Sequence, residues 1–214
     1  MTREVVVAPG RLAKWLSGFV RRNGTVAAIT ASSGSTTITT RLGAQAVVAD
    51  RAVCAGTLPE LLEALLGSGT AVVVLVRRGG FSIARAVYSG DAHQVVASKS
   101  GTRYVQGRTA AGGQSQQRFA RRRANQAAAL TDAATAAARA VLGDDPAPVD
   151  LLVTGGDQPL VQNVLAAWPM HRLSAARTVH VQVGEPRRRT VDEALETARS
   201  VRILVTNAEP REDP

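Results

Sequence analysis

Between residues 104 and 127 the chain reads YVQGRTAAGGQSQQRFARRRANQA, and these residue types at this spacing could do chemistry. Gly112-Gly113 lies in a run of small residues, where glycine opens backbone angles closed to other side chains and lets the chain approach a partner closely. Gln114 and Gln116 add amide groups without charge. Arg118, Arg121, Arg122 and Arg123 follow at once. On a helical wheel Arg118, Arg121, Arg122 and Asn125 share about one third of the circumference. Phe119, Leu130, Ala137 and Val141 fall on another face, the one expected to meet a core. Arg123 sits on that apolar side, so the first turn is expected to project beyond the core. Two readings stand at this point: a loop and basic helix that bind RNA, or a flexible linker ahead of a solvated helix.

Charge placement bears on that choice. The 214 residues carry a net charge of +9. Lys14 and Lys99 are the only lysines among 26 basic residues, a bias that a GC-rich genome accounts for, as it does for the abundance of alanine. Position is another matter. Residues 1–42 hold six basic residues against one acidic, and residues 101–142 hold seven against Asp132 alone. Residues 43–100 are nearly balanced, and residues 143–214 hold eight basic against eleven acidic. Two basic segments beside a neutral and an acidic one point to a face that binds a polyanion.

These residues need elements to hold them. Pro9 and RLAKWLSGFVRR predict a first helix, with Leu12, Trp15, Leu16 and Phe19 as its buried stripe and Asn23-Gly24 as its stop. Residues 25–31 and 35–42 read as a hairpin, 45–53 as a third strand and 58–67 as a short helix ending at Gly67. Residues 70–78, 81–89 and 92–100 form a β-meander joined by Gly79-Gly80 and Gly90-Asp91. From about Gln116 to Leu142 there is no Pro or Gly, which predicts a long helix of roughly 40 Å. Strand 149–156, helix 158–168, strand 178–184, helix 191–200 and strand 201–207 complete an α/β fold of ribonuclease H-like type, a mixed sheet with flanking helices. The expected domains are a small α+β part at 1–68, a catalytic domain at 69–208 with its glycine loop at 109–116, and a frayed tail at 209–214.

The residues also carry a resemblance. Gly112-Gly113-Gln114 is the GGQ tripeptide of peptide-chain release factors, and GRTAAGGQSQQRFARRR resembles the release-factor-like peptidyl-tRNA hydrolases of the VLRF family, in its actinobacterial branch. PGRLAKWLSGFVRRNG, LVRRGG (75–80), SGTRYVQGR (100–108) and VTGGD (153–157) extend the similarity over most of the chain. That family resembles the catalytic middle domain of the eukaryotic and archaeal class-one release factor. Its motif is usually written GxxQ, which Gly113-Gln114-Ser115-Gln116 fits, whereas the release-factor tripeptide points to Gln114. The QQRFARRR that follows favours Gln116, and Gln114 stays open.

The resemblance implies hydrolysis of peptidyl-tRNA, in which water attacks an activated ester. Such a step needs a placed water and oxyanion stabilisation more than a side-chain base. Backbone amides at Gly112 and Gly113 and a glutamine amide would supply both, and the terminal ribose hydroxyl of the tRNA would carry the proton. Arg118, Arg121, Arg122 and Arg123, with Arg103 and Arg108 ahead of the loop, would hold tRNA phosphates. The implied partners are peptidyl-tRNA and the peptidyl-transferase centre of the large ribosomal subunit, with no metal, no small-molecule cofactor and no membrane. A tRNA 3′-end nuclease and a non-catalytic ribosome- or RNA-binding protein are the alternatives. Strand 70–78 lacks the carboxylate that metal-dependent ribonuclease H chemistry would need.

Other motifs are expected to be structural. His93, His171 and His180 lack ligand spacing, and Cys54 is expected to be a buried small hydrophobe. One cysteine excludes an internal disulfide framework. Gly155-Gly156-Asp157 is expected to be a turn with Asp157 capping a helix, and Arg187-Arg188-Arg189 a solvated loop. No stretch approaches the ~20 apolar residues of a membrane span, and MTREVVVAPGR has no apolar signal core, so a cytoplasmic protein is expected. Residues 1–68 could dock on ribosomal RNA or merely add a layer to the sheet.

Overall fold

A computed structural model describes residues 2–102 and 114–208, with the side chains of Gln114, Ser115, Gln116 and Phe119 outside the description. It is a mixed α/β structure with two five-stranded sheets, and it divides into two compact units. Unit 1 comprises residues 1–68, 89–92 and 199–214, and unit 2 residues 69–88 and 93–198.

Unit 1 contains β1 (Thr2–Val7), α1 (Pro9–Asn23), β2 (Val26–Ser32), β3 (Ser35–Thr40), β4 (Gln45–Val48) and α2 (Leu58–Leu66). Its α1 starts on Pro9, whose fixed φ suits a first turn, and buries Leu12, Leu16 and Phe19 as the i, i+4, i+7 pattern predicts. These side chains pack on Ile38, Val48 and Ile203 and with Leu61 and Leu65 of α2. At the start of α2, the Thr57 hydroxyl accepts from the Glu60 amide at 3.4 Å and the Glu60 carboxylate accepts from the Gly56 amide at 2.8 Å, closing a capping box.

Unit 2 contains β5 (Ser68–Arg77), β6 (Gly80–Ser89), β7 (Ala92–Thr102), α3 (Gln114–Leu142), β8 (Val149–Gly156), α4 (Gln158–Ala166), β9 (Ala175–Val181) and α5 (Arg188–Arg199). The strand order is β7-β6-β5-β8-β9, with β5, β8 and β9 parallel: Val72 pairs with Leu152, and Leu152 with Thr178. One face packs on α3 and α4 through Leu130, Ala134, Leu160 and Val164, the other on α5 through Val191, Leu195 and Ala198. With both faces covered, Ala71 to Val76 of β5 are all buried, which is why that strand is an unbroken apolar run.

The last strand departs from expectation. β10 (Val201–Thr206) does not extend the second sheet; it lies between β1 and β4 in the first, whose order is β1-β10-β4-β3-β2. Its register with β1 runs from Thr2 opposite Thr206 to Val7 opposite Val201. No strand is expected at Thr2–Val7 from the sequence, and without that partner β10 reads as the end of the alternating run before it. The physical reason for its place is its alternation. Val201, Ile203 and Val205 are buried while Arg202 is exposed, which suits a sheet covered on one face only.

Cys54 is also a correction, since it is exposed. It stands outside regular secondary structure between Val53 and Ala55, and these two partly buried neighbours pack against the core of unit 1 in its place.

Candidate nucleic-acid interface

The 29 residues of α3 would span about 43 Å at 1.5 Å per residue. Only part of that length is held by the sheet. Among the described residues, the first of α3 to join the core is Ala127, followed by Leu130, Ala134, Ala137 and Ala138. Gly143, with φ of 82°, ends the helix, and its amide donates to the Arg139 carbonyl at 2.9 Å. The stretch from Gln114 to Gln126 therefore carries a different set of residues. Arg118, Arg121, Arg122 and Asn125 are exposed, and Arg123 is half-buried. Among the described residues none of these four arginines forms an ion pair. A shallow concavity of about 450 Å³ is lined by Arg118, Arg121, Arg122, Asn125, Gln126 and Ala129. The wheel placed the same three arginines and Asn125 together.

Gln114 and Gln116 lie in the first turn of α3, which starts two residues earlier than read. Gly112, Gly113, Arg103 and Arg108 lie outside the described residues. The last described residue before that segment, Thr102, ends β7 beside Gly80, where a Cβ on Gly80 would come within 2.5 Å of the Gly101 carbonyl. That end of β7 shares an edge of the sheet with the β5–β6 turn.

The same edge holds a crevice that the sequence reading missed. It measures about 590 Å³ and is lined by Arg77, Arg78 and Gly79, by Gly156 and Asp157, and by Gln182, Val183 and Glu185. These residues stand at the carboxyl ends of β5, β8 and β9, where open α/β sheets commonly bind ligands. A signal was present: LVRRGG and VTGGD each end a strand in glycine beside charge. What sequence could not show is that the two strand ends are neighbours. Gly156, at φ of 104°, tolerates no side chain there because a Cβ would strike the Val76 carbonyl.

Asp157 takes the N-cap position of α4, but its side chain does not cap. Its carboxylate faces Arg78, 3.4 Å from Nε, so the charge partner across the crevice draws it away from the helix amides. The arginine run is corrected as well, because Arg188 and Arg189 begin α5 instead of lying in a loop. Arg188 pairs with Asp192 one turn on (2.7 Å), and Arg187 with Glu185 (2.6 Å), so acidic partners offset cations at a helix start.

The histidines are dispersed. His93 faces Asp192 at 3.4 Å, His180 Nδ1 lies 3.1 Å from the Thr154 hydroxyl, and His171 packs beside Trp168. Among the described residues no three of His, Cys, Asp and Glu gather into a metal-binding group. No described helix is long and apolar enough to cross a membrane.

The family acVLRF1, described as the Actinobacteria/chloroflexi VLRF1 release factor, matches residues 69–204. No curated protein matches the chain.

Proposed function

The chain belongs to the Actinobacteria/chloroflexi VLRF1 release factor family, and from that premise we propose that it is a codon-independent peptidyl-tRNA hydrolase. It frees nascent chains from tRNA on stalled ribosomes or large subunits. The observation that carries this reading is the run Gly112-Gly113-Gln114-Ser115-Gln116 inside the matched segment, leading into a helix whose Arg118, Arg121 and Arg122 face solvent.

Residues 69–198 act as the catalytic unit. The order β7-β6-β5-β8-β9, an up-and-down meander followed by two parallel strands, supports a ribonuclease H-like arrangement like that of the release-factor middle domain. The glycine loop places water at the ester between peptide and tRNA. Gln116 orients that water, with Gln114 the alternative, and backbone amides at Gly112 and Gly113 stabilise the oxyanion. The tRNA ribose hydroxyl carries the proton, so the mechanism asks for no side-chain base and no metal. Arg118, Arg121, Arg122 and Arg123 hold phosphates of the acceptor stem, assisted by Arg103 and Arg108; such contacts position the substrate without reading its sequence.

The test is peptide release from labelled peptidyl-tRNA on ribosomes, in EDTA, by the wild type and by Gln114→Ala and Gln116→Ala. Release that persists in EDTA and collapses in one glutamine variant is expected, and the variant that collapses identifies the register. Unchanged release in both would remove the glutamine mechanism. Recovery of tRNA lacking its terminal nucleotides would replace hydrolysis with nuclease action.

A further inference from the structure

Unit 1 carries a second cationic surface, which the hydrolase reading does not use. On α1, Arg11, Lys14, Gly18, Arg21 and Arg22 fall within about 100° of one another at 3.6 residues per turn. The four charged residues are exposed, while Leu12, Leu16, Phe19 and Asn23 occupy the opposite, buried face. From Arg11 to Arg22 the stripe runs roughly 17 Å. No acidic residue occurs anywhere in α1. Among the described residues none of the four cations forms an ion pair. Gly18 sits in the middle of the stripe, and the Arg22 guanidinium lies over it, 3.2 Å from where a Cβ would stand.

We propose that this stripe is an RNA-docking surface that binds the phosphate backbone of structured RNA, separate from the glutamine-bearing site. Three features select that partner. Four unpaired cations in line match a run of phosphates, each contact releasing condensed counterions. The apolar side of α1 is spent on the core of unit 1, which leaves nothing to insert into a lipid surface. Gly10, Ala13 and Ser17 are the other exposed residues of α1, so the stripe lacks the apolar centre that a protein interface would need. Trp15 borders the stripe but is stacked on Phe19, with ring centroids 5.7 Å apart and planes at 5°. Docking here is by charge and shape, without base stacking.

The inference rests on the release-factor reading only for which RNA is met in the cell, namely that of the ribosome. Its test uses the full chain with two probes, a short duplex RNA and purified large ribosomal subunits, titrated over a range of salt. One variant replaces Arg11, Lys14, Arg21 and Arg22 by Ala. Gly18→Glu sets a carboxylate inside the stripe while exchanging glycine for a better helix former, so it guards against mere unfolding. A third variant, Arg11→Lys with Arg21→Lys and Arg22→Lys, keeps the charge. Each lost phosphate contact removes roughly 0.7–0.9 from the log–log salt slope. The alanine variant is therefore expected to lose a slope of roughly 3 and at least tenfold in affinity at low salt. Gly18→Glu should lose part of this with a melting temperature no lower than that of the wild type, and the lysine variant should bind like the wild type. A wild-type slope in both the alanine and glutamate variants would overturn the proposal, as would equal loss in the lysine variant. Loss on large subunits with duplex binding intact would mean an acidic ribosomal protein and overturn the RNA assignment. Peptide release from labelled peptidyl-tRNA on ribosomes, measured on the same variants at saturating protein, is expected to keep its limiting rate. Should the wild type release nothing, the hydrolase reading falls while the stripe result still stands.

Discussion

The two basic helices differ in how their charge is supported. In α1 a buried residue stands on every turn from Pro9 to Asn23, so charge and core occupy opposite sides of the same length. In α3, among the described residues, the two are placed end to end: arginines from 118 to 123, core from Ala127 onward. The difference teaches what each helix can afford to lose. Removing core from α1 undermines its charged stripe as well, whereas the front of α3 can be stripped of arginine while the rest of the helix stays docked.

That contrast can be broken by substitution. Phe19→Ala removes a ring that is 1% exposed and is expected to cost about 3–5 kcal/mol in denaturant unfolding. A cost well under 1 kcal/mol would show that α1 is not anchored as described. Leu130→Ala, in the docked half of α3, is expected to cost about 2–5 kcal/mol by the same measurement. At the head of α3, the glutamine proposed to place the water, Gln116 or Gln114, should yield to Ala with a loss in release of about 10²–10³-fold. Its unfolding midpoint should not move, and a shifted midpoint would mean that the turn supports the fold. Replacing Arg118, Arg121 and Arg122 together by Ala should lower the salt slope of tRNA binding by roughly 2–3. Each should change stability by no more than about 0.5 kcal/mol, and a larger loss would place core beneath the arginines.

The smallest effect concerns how helices begin. Where α1 has no acid in its first turn, α2 has Glu60, whose carboxyl is held below its ordinary value by the Gly56 amide and then by Thr57. A depressed value in the folded state stabilises fully above the ordinary carboxylate range and is lost as pH falls through the lowered value. Thermal melts of Glu60→Gln and the wild type should therefore differ slightly at neutral pH and converge in strong acid. A difference that persists in acid would mean that the carboxylate charge is not its source.

Most elements of this fold were legible because their signals are local. The stripe of α1, the Gly-linked meander of β5 to β7 and the Ala-rich α3 each repeat at their own period. Boundaries moved modestly: β9 begins at Ala175 instead of 178, and α5 at Arg188 instead of 191. The site divided in the same way. The arginine face of α3 follows from 100° geometry, while the glycines of the glycine–glutamine motif lie outside the described residues. The crevice at Arg77, Gly156 and Gln182 does not follow from the sequence, because its walls come from three separate strand ends, two of which, Arg77 and Gly156, stand 79 residues apart in the chain.

What the sequence determined by itself is therefore the type of each long element, the two cationic helices and membership of the family whose model matches residues 69–204. Tertiary structure alone decided which sheet receives β10, where Arg78 and Asp157 meet, and that Cys54 faces out. Periodicity reports only which side of an element is apolar. It is silent on which distant backbone will satisfy a strand's hydrogen bonds, and for β10 that backbone is β1, at the other end of the chain.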